Sequence, residues 1–243
     1  MKWAAVIVAA GQGRRFGAPK QFLDLAGLPM VGWSIRKFAA MPEVSQIVVA
    51  TEPESIEPMQ ELVLRLAPER ATRVVRGGAT RQQSVYEGLQ AVSAQCDAVL
   101  VHDGARPLVD SDDVRTAMRE VHVGRASLLA APLLDTIKKV DIESLCVLAT
   151  LDRGTLWAAQ TPQFARTAEL RTAHERARRE GIEATDDAAL LERIGAEVVI
   201  VPSSTENFKI TRPADVARAL VILEHCHPER RRVAPESKDE GPE

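Results

Sequence analysis

The chain has 243 residues, an apolar fraction of 45% and a formal net charge of −3. That length can bury one good core, and the near-neutral balance excludes a global basic field for nucleic acid, so any cationic site must be local. Cys96, Cys146 and Cys226 lie far apart with no CxxC spacing, which argues against a zinc site or a disulfide framework and predicts a cytoplasmic setting. No apolar run approaches a membrane span, and the short one at the N-terminus does not read as a signal peptide.

Val6–Ala10 reads as a buried strand that ends in Gly11, Gln12 and Gly13. Glycines let backbone N–H groups approach a polyphosphate, so this loop forms an anion-binding nest. Arg14, Arg15 and Lys20 add cations, with Gly17 and Pro19 shaping the turn. The glycine spacing is one residue too wide for the GxGxxG dinucleotide fingerprint, and no acidic residue follows at the distance that fingerprint needs. A P-loop needs Ser or Thr after its Lys, and Lys20 precedes Gln21. A glycine loop with several cations suits a triphosphate.

Phe22–Leu28 reads as a linker, and Pro29 precedes a helix carrying Met30, Val31, Trp33, Ile35 and Phe38. Gln46–Thr51 is a second strand, Glu54–Leu66 a helix and Arg73–Arg76 a third strand broken by Gly77 and Gly78. Thr80 and Gln83 form a capping box that opens the next helix. Ala98–His102 is a fourth strand, followed by the loop 103–110 and a helix over about 112–123. Nearly all-apolar strands alternating with helices predict an α/β fold: a Rossmann-like, mostly parallel sheet covered on both faces.

After a strand at Ser127–Leu133 the pattern changes. Thr136–Val140 and Leu145–Leu151 form two ribbons around the polar turn 141–144, with no helix between them. They predict a projecting hairpin, an arm at about 136–151 that makes a dimer contact. Trp157–Pro162 is extended, Thr167–Glu180 helical, and Asp186 and Asp187 open a helix whose dipole they favour. Glu197–Pro202 is a strand, and Pro213 starts the last helix. Residues 1–227 therefore read as a single domain, and the charged, proline-bearing stretch 228–243 as a disordered tail.

Sheets of this type bind ligands at the carboxyl ends of their strands. Strand one supplies the glycine loop, Arg15 and Lys20. Strand three supplies Gly77, Gly78, Arg81 and Ser84, and strand four His102, Asp103, Arg106 and Pro107. Asp103 is the carboxylate close behind a buried strand, and a single Asp beside a triphosphate is enough for Mg²⁺.

The chain resembles the 2-C-methyl-D-erythritol 4-phosphate cytidylyltransferases of the non-mevalonate isoprenoid pathway, from Ala5 to about Leu220. The resemblance rests on Ala9-Ala10-Gly11-x-Gly13-x-Arg15, Pro19-Lys20-Gln21, Gly77-Gly78-x-x-Arg81-x-x-Ser84-Val85 and Val101-His102-Asp103-Gly104-Ala105-Arg106-Pro107. It continues through Ala131-Pro132-x-x-Asp135-Thr136, Asp152-Arg153, Gln160-Thr161-Pro162-Gln163, Thr185-Asp186-Asp187 and Asn207-Phe208-Lys209-Ile210-Thr211-Arg212-Pro213.

The resemblance implies that CMP passes from CTP to the 4-phosphate of methylerythritol phosphate, with pyrophosphate leaving. It implies CTP binding by Ala9, Ala10, Gly11, Gly13, Arg15, Lys20, Gly78, Ser84 and Asp103, with Asp103 coordinating Mg²⁺ as the divalent cation. Arg106, Thr136, Arg153 and Lys209 hold the sugar phosphate, and Arg15, Lys20, Arg153 and Lys209 carry the catalysis. It further implies a homodimer with an exchanged arm, so that Thr136 and Arg153 come from the partner subunit; charge and hydropathy predict no nucleic-acid or membrane partner. The segment from Arg15 to Lys20 is shorter than in many members, and Ala79 stands where many have Asp. A ribitol 5-phosphate cytidylyltransferase is the rival reading, and Asp135-Thr136 with Asp152-Arg153 favours methylerythritol phosphate over it. A non-catalytic nucleotide-binding module would need the glycine loop but not Arg15, Lys20 and Asp103 together.

Overall fold

The computed structural model describes residues 1–11 and 20–226. Within them a seven-stranded sheet runs in the order β3-β2-β1-β4-β8-β5-β9. The strands are β1 (Trp3–Ala9), β2 (Val44–Thr51), β3 (Ala71–Arg76), β4 (Ala98–Asp103), β5 (Arg125–Pro132), β8 (Trp157–Arg166) and β9 (Glu197–Pro202). β6 (Lys138–Val140) and β7 (Val147–Thr150) form a separate antiparallel pair. Seven α-helices accompany them: α1 (Met30–Ala39), α2 (Ile56–Leu66), α3 (Arg81–Gln90), α4 (Ser111–Arg119), α5 (Thr167–Glu180), α6 (Asp187–Arg193) and α7 (Pro213–Cys226).

The period of two in β1 decides what covers each face. Trp3, Ala5, Ile7 and Ala9 join one core with residues of α1, α2 and α4, including Phe38, Met59 and Val114. Ala4 and Val6 join the other with Val85 and Leu89 of α3 and Leu170 and Ala173 of α5. A third cluster packs Ala219 and Leu223 of α7 against Trp33 and Ile210. α5 ends where Gly181, at φ +66°, takes the left-handed conformation that closes a helix.

Strand order reverses at β1. The chain moves from β1 to β2 and β3 on one side, then returns to place β4 on the other. The crevice at the carboxyl ends of β1 and β4 is the switch point where such sheets take ligands.

The expected fold class holds, with local differences. β8 runs antiparallel to both β4 and β5. It is reached from β5 through the excursion 133–156, which carries the hairpin and no helical crossover of the kind that joins parallel strands. The stretch read as a linker follows directly on a 3-10 turn at Lys20–Phe22 and folds into a tight turn closed by a bridge between Asp24 and Pro29. α4 stops at Arg119, short of the expected boundary near residue 123, because His122 and Arg125 pair across a turn leading into β5.

Every residue from 138 to 155 is exposed. Ile142, Leu145 and Leu148 are 82%, 70% and 61% exposed, although they are large and apolar. A two-stranded ribbon is marginal on its own in water. Among the described residues no helix is long and apolar enough to cross a membrane. Gln12, Gly13, Arg14, Arg15, Gly17, Pro19 and the stretch 228–243, for which a phosphate loop and a tail are expected, lie outside the described residues.

Candidate active site

The ends of β3, β2, β1 and β4 enclose a cavity of about 1070 Å³, at the upper end of the roughly 300–1,000 Å³ usual for small-molecule sites. Ala9, Ala10 and Gly11 form its wall after β1, Gly78 and Ser84 the wall after β3, and Asp103 the floor after β4. Lys20 and Lys209 also line it. The cavity therefore gathers residues from sequence positions about 200 apart.

The β3 side is shaped by close approach. A Cβ on Gly77 would lie 2.4 Å from the Cβ of Ala10 and 2.9 Å from Ser84 Oγ, so only glycine lets this turn sit against the β1 loop. Gly78 N–H donates to Ser84 Oγ at 3.1 Å, and Ser84 Oγ donates to Thr80 O at 2.9 Å. Thr80 caps α3, its hydroxyl accepting from Gln83 N–H at 3.1 Å. The reciprocal half of the expected capping box is shifted by one residue: Gln83 Oε1 accepts from Ala79 N–H at 2.9 Å. Ser84 thus builds the Gly77–Gly78 turn from beneath.

Asp103 ends β4, buried, and meets two cations. Arg81 Nε reaches Oδ1 at 2.9 Å and Lys209 Nζ reaches Oδ2 at 2.8 Å. Burial alone would raise the carboxyl pKa, but Arg81 and Lys209 outweigh it and hold Asp103 well below the usual carboxylate range. Arg81 also reaches Asp187 Oδ2 through Nη1 at 2.8 Å, and Asp187 Oδ1 takes His174 Nε2 at 2.9 Å. Burial opposes ionisation of Asp187 too, and again Arg81 and then His174 prevail, so its pKa is lowered. Burial likewise acts against the Arg81 guanidinium, but Asp187 and Asp103 raise its pKa, so it stays cationic.

Sequence reasoning gives roles to Asp103 and Lys209 but does not connect them to Arg81, Asp187 and His174. Arg81 stood only among the strand-end groups, and Asp187 was read as serving a helix dipole. In fact Asp186 caps α6, accepting from Ala189 N–H at 3.0 Å, while Asp187 turns inward. The signal was available: two consecutive Asp open a helix, one suffices as cap, and Ala188, Leu190 and Leu191 put the next residues against the core.

The segment before α7 serves as a strap. Asn207 Nδ2 donates to Gln160 Oε1 at 2.9 Å and to Thr161 O at 3.0 Å, and Ile210 N–H donates to Ala105 O at 2.8 Å. This fixes Lys209 over Asp103, and Lys20 Nζ donates to Ile210 O at 3.1 Å. Arg106 does not line the cavity; its Nη1 donates to Asn207 O at 2.6 Å, holding the strap from below. Thr136 and Arg153 sit outside the cavity of their own chain, on the exposed hairpin. Arg153 Nη1 donates to Leu134 O at 2.5 Å, beside a short turn in which Asp152 Oδ1 accepts from Gly154 N–H at 2.9 Å.

His102 braces Asp103 from the core. Its Nε2 faces Arg106 O at 3.1 Å, and a carbonyl only accepts, so Nε2 carries the proton. Thr161 Oγ1 lies 3.2 Å from Nδ1 and accepts from Asp103 N–H at 3.0 Å. Burial pushes the His102 pKa down to about 3. An unfolded histidine takes up a proton near pH 6.5, so this site's contribution is whole above that value and is lost as pH falls toward 3. Between pH 6.5 and 5 wild type should lose about 2 kcal/mol of unfolding free energy through His102. Urea titrations of wild type and His102→Gln check this: the variant should show the flatter pH slope over that interval, and equal slopes would contradict it.

Comparison with known proteins shows which family the chain belongs to. Residues 3–225 match the family model IspD, 2-C-methyl-D-erythritol 4-phosphate cytidylyltransferase. The chain belongs to this family. It is similar to the Halalkalibacterium halodurans enzyme of that name, with 40% identity over 92% of this chain and 97% of the relative. It is also similar to the chloroplastic enzyme of Oryza sativa, at 40% identity over 89% of this chain and 72% of that one. Among solved structures, the cytidylyltransferase of Thermus thermophilus superposes with a TM-score of 0.75 at 33% identity, covering 91% of this chain and 98% of that one. The 4-diphosphocytidyl-2C-methyl-D-erythritol synthase of Anaerococcus prevotii gives 0.80 at 25% identity, covering 92% and 98%. The chain is thus a cytidylyltransferase of isoprenoid precursor biosynthesis, with CTP as nucleotide donor. The comparisons do not favour the ribitol 5-phosphate reading.

Proposed function

We propose that this cytidylyltransferase performs its reaction in the cavity between the Gly77–Gly78 turn and Asp103. The convergence of Lys20, Asp103 and Lys209 on the ends of β1 and β4, opposite that turn, carries the reading. The nucleoside of CTP lies against Gly78 and Ser84, and the triphosphate runs along Ala9–Gly11 toward Lys20, with Gly13 and Arg15 as the further phosphate-binding residues of the motif. The 4-phosphate oxygen of methylerythritol phosphate attacks the α-phosphorus in line, and the bond to the pyrophosphate oxygen breaks. Two anions have to meet, so the barrier is mainly electrostatic and positional. Lys20 and Arg15 offset charge on the α-phosphate and the leaving group. Lys209, with Arg153 and Thr136 of the partner subunit, aims the attacking phosphate, and Arg106 holds the strap that carries Lys209. Arg106 itself reaches the sugar phosphate only by releasing Asn207.

Asp103 suits Mg²⁺. It is ionised, faces the cavity, and each oxygen keeps a lone pair beyond its bond to Arg81 or Lys209. Mg²⁺ is commonly held by one or two carboxylates together with substrate phosphates and water. No three-residue His, Cys, Asp or Glu cage occurs among the described residues, which agrees with a site completed by substrate. When bound, the ion supplies charge neutralisation at the α-phosphate and pyrophosphate.

The apolar face of the hairpin supports a homodimer in which each arm covers the other subunit's cavity. We also read residues 1–227 as one catalytic unit acting in the cytoplasm. Pyrophosphate release from CTP tests the whole reading. It should depend on 2-C-methyl-D-erythritol 4-phosphate and be far slower with ribitol 5-phosphate; equal rates would reverse the choice of substrate.

A further inference from the structure

Lys209, Asp103, Arg81, Asp187 and His174 form one unbroken row from the cavity to the core. The four ions alternate in sign and sum to zero. Lys209 is 40% exposed at one end, and His174 and Asp187 are 1% and 2% exposed at the other. The inner end is anchored by β8: Gln163 Oε1 accepts from the N–H groups of Asp187 and Ala188, both at 2.9 Å. Nothing in the chemistry of cytidylyl transfer calls for charges this deep, since Asp187 and His174 do not line the cavity.

We propose that Arg81 and Asp187 are positioning residues for the transfer reaction, Arg81 fixing the Asp103 carboxylate and Asp187 fixing Arg81. The guanidinium is a rigid planar fork that pairs with carboxylates along more than one edge. Here its Nε edge serves Asp103 while Nη1 is committed to Asp187. Without Asp187 that second nitrogen would be free to turn onto Asp103. Arg81 would then compete with Lys209 for Oδ2 and turn the carboxylate away from the cavity. Asp187 thus leaves Asp103 with one oxygen, Oδ2, directed at Lys209 and the cavity. Thr161 fixes the backbone of Asp103 and Arg81 its side chain, so Lys209 meets an acceptor that cannot rotate away. A reacting pair of anions needs its cations held in place before they arrive. This inference rests on the proposed role of Asp103 and Lys209.

The test compares kcat and KM of the full-length enzyme for Asp187→Asn, Arg81→Lys, Asp103→Asn and the double variant Asp103→Asn/Asp187→Asn, with thermal unfolding measured on each. Asp187→Asn and Arg81→Lys should each lower kcat about tenfold while CTP KM moves less than about twofold. In the double variant, Asp187→Asn should cost less than about twofold beyond Asp103→Asn, because its effect passes through that carboxylate. Wild-type kcat in Asp187→Asn, or two losses that multiply in the double variant, would overturn the proposal. If Asp187→Asn does not fold, Arg81→Lys alone and combined with Asp103→Asn gives the same comparison. Should Asp103→Asn itself keep full kcat, the placement of Asp103 in the reaction fails and the proposal with it. A loss in Asp103→Asn without one in Asp187→Asn removes the proposal alone.

Discussion

Lys20→Ala should lower kcat about a hundredfold, equivalent to about 3 kcal/mol, while CTP KM rises by a smaller factor. The reason is where the ammonium sits. Lys20 lines the cavity from the 3-10 turn after the glycine loop and donates to Ile210 O, next to the residue that pairs with Asp103. A carbonyl is a neutral resting partner, released at modest cost when a charged phosphate arrives. The α-phosphate gathers negative charge as the new bond forms, so the attraction grows along the reaction coordinate. An interaction that strengthens in the transition state is read in kcat, and one that is uniform is read in KM. Steady-state kinetics with CTP as the varied substrate separates the two. A large rise in KM at unchanged kcat would reduce Lys20 to a binding residue.

Arg153→Ala should impair use of methylerythritol phosphate on the order of a hundredfold in kcat/KM and leave CTP KM near its wild-type value. In its own chain Arg153 does not line the cavity, and it sits on a hairpin exposed from 138 to 155. Its guanidinium is nevertheless held against Leu134 O at the base of the arm, so it is presented in a fixed direction rather than waving in solvent. A fixed cation beside a ribbon that exposes Ile142, Leu145 and Leu148 suits delivery into a neighbouring subunit. Kinetics with each substrate varied in turn would show the split, and unchanged turnover would take Arg153 out of the site.

What the sequence made legible follows from how locally each feature is encoded. β9 and α5 come out at the expected residues, because alternating or helical apolar spacing and a terminal Gly181 are local signals. The end of α4 was missed by about four residues, since the turn at His122–Arg125 is set by pairing rather than by a breaker. The reversed direction of β8 is a tertiary property that its apolar and polar residues do not record. In the site, the strand-end residues Gly78, Ser84 and Asp103, and Lys209 from the family motif, were named from sequence and do gather in one cavity. The pairing of Asp103 with Arg81, and of Arg81 with Asp187, was not. Arg81 is 22 residues from Asp103, and Asp187 is 106 from Arg81, separations at which sequence spacing carries no information about contact. Arg106 shows the converse. Its motif implied a substrate contact, and the structure gives its guanidinium to the Asn207 carbonyl.

The central claim is that each catalytic cavity combines Lys20 of one subunit with Arg153 of the other. Mixing Lys20→Ala and Arg153→Ala proteins, unfolding and refolding them together, and assaying CTP turnover tests it most directly. With exchanged arms, a mixed dimer has one cavity that lacks both groups and one that retains both. Random pairing should therefore restore about a quarter of wild-type activity from two nearly inactive parents, since about half the dimers are mixed and half their sites intact. Activity no greater than the average of the two parents would mean that each arm serves its own chain, or that Arg153 plays no part.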